Sequence, residues 1–162
     1  MPVIHMRIES RYIRNKYIAP WLGLKFDRYV VANDQVVNDK IQQMMLPQEA
    51  KGFPLSLMTL ADALQYVNSE EGQKERIFLS VKTPQDALHL LEEGLKPAEI
   101  NVGTQNPQAM TKYKMITDEV GATAEDAEVY RAIAAKGYTL TAKMKPSDPD
   151  TDFLELLKKQ KL

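Results

Sequence analysis

The sequence contains no cysteine, which excludes disulfides, thiolate nucleophiles and cysteine zinc sites and fits a reducing compartment. Histidine is scarce as well: His5 and His89 are the only two. No apolar run approaches the roughly 20 residues that cross a bilayer. Arg7 and Glu9 interrupt the N-terminal stretch where a secretory signal would need an apolar core. Charge of one sign is also lacking. With a formal net charge of −1, nothing draws the chain as a whole to nucleic acid or an acidic membrane, so an anion site would have to be local. These absences predict a soluble, cytoplasmic protein.

Its 162 residues suffice for one compact domain with a real core and are too few for two comfortable ones. Residues 1–162 are therefore read as one domain, with 146–162 its closing turn and helix. Three helix starts share a signature: Thr59 with Asp62, Thr83 with Asp86, and Thr123 with Asp126. Each places a threonine at the N-cap and an acid at the third helical position, which satisfies free N–H groups and complements the helix dipole. Pro84 suits a first helical position. Gly94 and Gly137 suit helix stops. A further helix is predicted over 36–46, opened by Asn33 and Asp34, and a last one from Asp152 to Lys159.

Apolar runs of strand length lie at 3–6, 29–32, 54–58, 77–81 and 99–103, with a small one at Met115-Ile116 and an alternating stretch at 138–144. Strands alternating with helices predict an α/β fold: an open, mostly parallel sheet flanked by helices on both faces. The stretch 138–144 leaves room for an antiparallel edge strand.

Arg7-Ile8-Glu9-Ser10-Arg11-Tyr12-Ile13-Arg14-Asn15-Lys16 follows the first strand. Four cations and one carboxylate are thus expected at the first strand-to-helix junction. Ligands bind open α/β sheets at the carboxyl ends of the strands, and N–H groups at a helix start favour anions. The segment reads as a phosphate site. Glu70-Glu71, Glu92-Glu93 and Asp148/Asp150/Asp152 read as solvated faces, caps and a turn, with no metal site, because no histidine accompanies them. Lys158-Lys159-Gln160-Lys161 is too short to argue for nucleic acid. Met44-Met45 reads as core filling or a contact face.

The first loop also resembles the active-site segment R-I-D-D-R-L-I-H-G-Q of phosphotransferase-system IIB components of the mannose/fructose/sorbose family. Trp21, Val30-Val31-Ala32-Asn33-Asp34, Asp39, Val81-Lys82-Thr83-Pro84-Gln85-Asp86-Ala87, Gly94 and Ile100-Asn101-Val102-Gly103 extend the likeness along nearly the whole chain. The resemblance implies a cytoplasmic phosphoryl carrier, with no cofactor, that can sit peripherally at the inner membrane. Its loop histidine would accept phosphate from a IIA partner and pass it to a sugar moved by membrane IIC and IID components. Relatives often use a dimer surface, so a homodimer is implied as well.

By the same resemblance, Arg14 stands at the histidine position and Asn15 and Lys16 at its glycine and glutamine. Ser10 replaces the second acid and Thr104 the second glycine after Gly103. Glu9, Ser10, Arg11, Asn15, Lys16, Asn33, Asp34, Lys82, Gly103 and Thr104 become the candidate phosphate- or ligand-binding residues. Arginine stays protonated and offers no lone pair for phosphoryl transfer. His5 lies on the order of 13 Å below the loop along the strand, and His89 falls mid-helix on a polar face. Ser10 would need a base, for which Glu9 is the local choice, and Lys16 a lowered pKa. Two expectations result: a IIB-like carrier with an unusual nucleophile, or a silent IIB homologue that binds its partners or a sugar phosphate.

Overall fold

The computed structural model describes residues 3–13, 20–21, 26–107 and 110–162, so Arg14, Asn15 and Lys16 lie outside the described part. Six strands form the main sheet: β1 (Val3–Ile8), β2 (Arg28–Ala32), β3 (Leu55–Met58), β4 (Ile77–Val81), β5 (Ile100–Val102) and the edge strand at Thr141–Ala142. A separate antiparallel pair, β6 (Lys114–Met115) with β7 (Gly121–Ala122), makes that edge strand β8. The sheet order is β3-β2-β4-β1-β5-β8, and every pairing in it is parallel.

The edge strand is therefore parallel rather than antiparallel. Only Thr141 and Ala142 of the stretch 138–144 pair with β5; the antiparallel contact left to it is an isolated bridge from Thr141 to Asp152. The helix between β7 and β8 supplies the crossover that a parallel neighbour needs.

The helices are α1 (Lys40–Glu49), α2 (Leu60–Asn68), α3 (Glu70–Gln73), α4 (Pro84–Glu92), α5 (Ala124–Ala135) and α6 (Phe153–Lys159). Thr59, Thr83 and Thr123 cap α2, α4 and α5 as the sequence predicts, accepting from the N–H of Asp62, Asp86 and Asp126 at 3.0–3.1 Å. Only Thr123 completes the capping box, with its own N–H returned to Asp126 at 3.1 Å. Gly94 and Gly137 follow the helix ends with φ of 101° and 104°, a conformation that glycine adopts without steric cost.

The helix expected over 36–46 starts later. A 3-10 turn at Val36–Asn38 precedes α1, and Asp39 caps it by accepting from Gln42 N–H. The cause is local: Asn33 Oδ1 accepts from the N–H of Gln35 and Val36, closing a tight turn before any helix can begin.

Alternation along β2 divides the interior. Val30 and Ala32 face the larger core, beneath α2, α4, α5 and α6. Tyr29 and Val31 face the smaller one with Phe78, Trp21, Tyr12, Val36 and Leu46. Helices thus cover both faces, and the first loop lies on the smaller core. Met44 and Met45 are exposed, so neither fills a core.

Candidate functional site

Strand β1 runs further than its apolar residues imply, because Arg7 and Ile8 pair with Ser80 and Val81 of β4. Arg7 is consequently not a loop cation. It is buried, with Nη1 donating to Asn101 Oδ1 at 2.5 Å and to the Lys143 carbonyl at 2.8 Å. The loop proper begins at Glu9, whose N–H donates to the Val81 carbonyl. Glu9 is buried as well. Its carboxylate accepts from Arg11 N–H at 3.4 Å and Thr104 N–H at 3.3 Å and stands 3.7 Å from Arg7 Nε.

Tyr12 has φ of 61°, an unusual value for a residue with a side chain. Its carbonyl receives two buried hydroxyls, Tyr29 at 2.8 Å and Ser80 at 3.0 Å. Its own hydroxyl reaches Asn33 Oδ1 at 3.3 Å. Lys82, at the end of β4, places its ammonium 5.6 Å from the centre of the Tyr12 ring, within cation–π range.

Two clefts open beside this loop. One, of about 490 Å³, is lined by Ser10, Arg11, Tyr12, Lys82 and residues of α1. The other, of about 450 Å³, lies toward the starts of α4 and α5 and shares Ser10 and Lys82 with the first. Ser10 and Lys82 sit at the carboxyl ends of the adjacent strands β1 and β4. From these ends the chain leaves in opposite directions, to β2 and to β5, so the clefts lie at the switch point of the sheet.

Of the candidate residues, the fold brings Ser10, Arg11 and Lys82 to the clefts. Glu9, Gly103 and Thr104 lie buried behind them. Asn33 is buried in its turn, and Asp34 faces elsewhere: its Oδ1 accepts from Leu60 N–H at the start of α2. Tyr12 and the α1 side of the first cleft, including Asp39 and Glu49, were not anticipated. The aromatic side chain between two loop cations was the available signal.

Two carboxylates act on Tyr12. Burial, then the Asp39 and Asp86 charges, push the Tyr12 phenol up. Burial and the Asp34 charge raise the Asp86 carboxyl. His5 is far from titrating freely. Its ring lies 4.6 Å from Trp21 and 4.8 Å from Phe78, and burial lowers its pKa despite Glu99 at 3.7 Å. His89 is exposed on α4. Among the described residues no group of histidine and carboxylate side chains could hold a metal, and no helix is long and apolar enough to cross a membrane.

Comparison with known proteins bears out the family likeness seen in the sequence. The description "PTS system sorbose subfamily IIB component" matches residues 3–162. The chain belongs to that family. It is 25% identical over 157 residues to the sorbose-specific EIIB component of Klebsiella pneumoniae, covering 96% of this chain and 94% of the relative. It is 24% identical to the fructose-specific EIIB component of Bacillus subtilis, covering 98% and 97%. The crystal structure of the IIBSor domain of the Klebsiella pneumoniae sorbose permease superposes with a TM-score of 0.90, at 24% identity and 98% coverage of both chains. The fold is that of the sorbose-type IIB components.

Proposed function

We propose that this sorbose-type IIB chain holds an anion at its first loop and docks onto IIA and the membrane IIC and IID components, without carrying the phosphoryl group on a histidine. Arg14 carries this reading. It occupies the position where the family resemblance expects the phosphorylated histidine, and a guanidinium, protonated at every physiological pH, has no lone pair to offer. Neither histidine offers a replacement: His5 is packed between two aromatic rings and His89 is exposed on α4.

Arg11, Ser10 and Lys82 retain what phosphate binding requires, a planar cation, a hydroxyl and an ammonium around one cleft. Phosphoryl transfer is mostly positioning and charge neutralisation, so a loop that has lost its nucleophile can still bind the group being transferred. The ligand is then a phosphorylated partner, or a sugar phosphate. A IIA partner is further supported by the mannose-specific EIIAB component of Escherichia coli. The match covers 94% of this chain and 47% of that relative, whose name joins both functions in one polypeptide. Work with IIC and IID would place the chain in the cytoplasm at the inner membrane.

Incubation with a phosphorylated IIA partner tests this directly. The wild type should take no label, and Arg14→His should gain an acid-labile one. Calorimetry against inorganic phosphate and hexose phosphates should show binding that Arg11→Ala or Lys82→Ala weakens about tenfold or more. Label on the wild-type chain would sink the silent reading.

A further inference from the structure

The end of β1, just before the first loop, is tied to a turn near the far end of the chain. Arg7 donates to the carbonyls of Lys143 at 2.8 Å and Met144 at 3.3 Å, and Trp21 Nε1 donates to the same Met144 carbonyl at 2.9 Å. The turn that presents these carbonyls is held by Asp148, whose Oδ2 accepts from the N–H of Met144 at 3.0 Å and Lys145 at 3.2 Å. Lys143 is further paired with Asp150.

We infer that the turn 143–148 is a working part of the anion loop, with Arg7 and Glu9 as the positioning residues that connect them. This rests on the anion-binding reading above. The direction of the contacts carries the argument. Arg7 has short hydrogen bonds on Asn101 and the turn, and its Nε stands 3.7 Å from the Glu9 carboxylate. Glu9 in turn receives the N–H of Arg11 and of Thr104, the segments on either side of Ser10. The chain of contacts therefore runs from the turn through a buried guanidinium and a buried carboxylate to the backbone of the site.

A buried charge is tolerated only while its partner is well placed. Loosening the turn frees Arg7 to shift, which weakens the compensation of the Glu9 charge. Glu9 then shifts as well, and Arg11 and Thr104 lose the well-placed acceptor that sets their backbone. The packing leaves Arg7 little alternative. A Cβ on Gly103 would lie 2.7 Å from its Nη2, and the guanidinium lies 5.4 Å from the Trp21 ring centre.

Asp148→Ala tests the coupling, because it unties the turn without touching the loop, Arg7 or Glu9. Affinity for inorganic phosphate by calorimetry should fall about three- to tenfold, as expected for losing one local carboxylate anchor. The Arg11 and Thr104 amide resonances should move in the ligand-free spectrum, a change that a purely stabilising turn would not produce. Arg7→Lys, which keeps the charge and loses the planar fork, should do both more strongly. A folded Asp148→Ala protein with wild-type affinity and unmoved amide resonances would overturn the inference. If the wild type binds no phosphate, the anion-binding reading fails, and the two amide resonances alone decide whether the turn governs the loop.

Discussion

The Tyr29 hydroxyl donates to the Tyr12 carbonyl at 2.8 Å, where the loop takes its left-handed residue. Such a backbone conformation costs on the order of 1–3 kcal/mol and persists only where its surroundings over-determine it. Ser80 donates to the same carbonyl from β4, so adjacent strands hold the strained residue together. Burial pushes the Tyr29 phenol far up, which keeps it a donor at every physiological pH.

Tyr29→Phe should therefore destabilise the protein by only about 1 kcal/mol, since Ser80 still satisfies the carbonyl. Combined with Ser80→Ala, the cost should exceed the sum of the two single losses, because the carbonyl is then left bare. Urea denaturation of the three variants measures this, and strict additivity would mean that the hydroxyls act independently.

Gly103→Ala should cost roughly 1–3 kcal/mol by overpacking, because the new methyl meets the Arg7 guanidinium, which hydrogen bonds to Asn101, Lys143 and Met144 hold in place. Pairing it with Arg7→Met should cost less than the two single changes together. A shift in denaturation midpoint is the readout, and an unchanged midpoint for Gly103→Ala would contradict the packing described.

Acid should destabilise the fold through His5. Burial lowers its pKa below 6.5, so the folded state binds fewer protons there than the unfolded chain. Stability is then full above about pH 6.5 and declines as pH falls toward the lowered value. Glu99, held below 4.5 by the His5 hydrogen bond, adds a loss in the same direction at still lower pH. Melting should be higher near pH 8 than near pH 5, and His5→Phe should flatten the profile between about 5 and 7. A profile unchanged by the substitution would locate the titration elsewhere.

Arg28 and Glu75 provide a control. Arg28 Nε contacts both Glu75 oxygens at 3.0 and 3.1 Å, and its guanidinium lies 5.6 Å from the Tyr66 ring centre. Arg28 opens β2 at the end of the sheet opposite the loop. Glu75→Gln should lower stability by up to about 1 kcal/mol, the pair being partly exposed. Phosphate affinity should not change.

What the sequence revealed was local. Each threonine cap, the glycine stops and β4 depend on residues within a few positions of one another, and these emerged as expected. Arg7 reads as a loop cation because nothing nearby in sequence says that β4 carries its pairing on through Ser80 and Val81. Asp34 resembled a cap for the next helix and instead caps one that begins at Leu60, a partner far along the chain. The edge at 138–144 alternated like an antiparallel strand, but the intervening helix decides its direction. For the site, the residue types were legible and their depth was not. Glu9 and Ser10 are neighbours in sequence, yet only Ser10 reaches the clefts.

Trp21 gives the protein a built-in optical probe. It is the chain's one tryptophan, 3% exposed, with its indole against His5 and its N–H on the Met144 carbonyl. Its emission needs no added dye and reads an imidazole, a guanidinium and the C-terminal turn from one position beside the first loop. Quenching as His5 gains a proton, or a red shift as the turn loosens, would be visible in a cuvette.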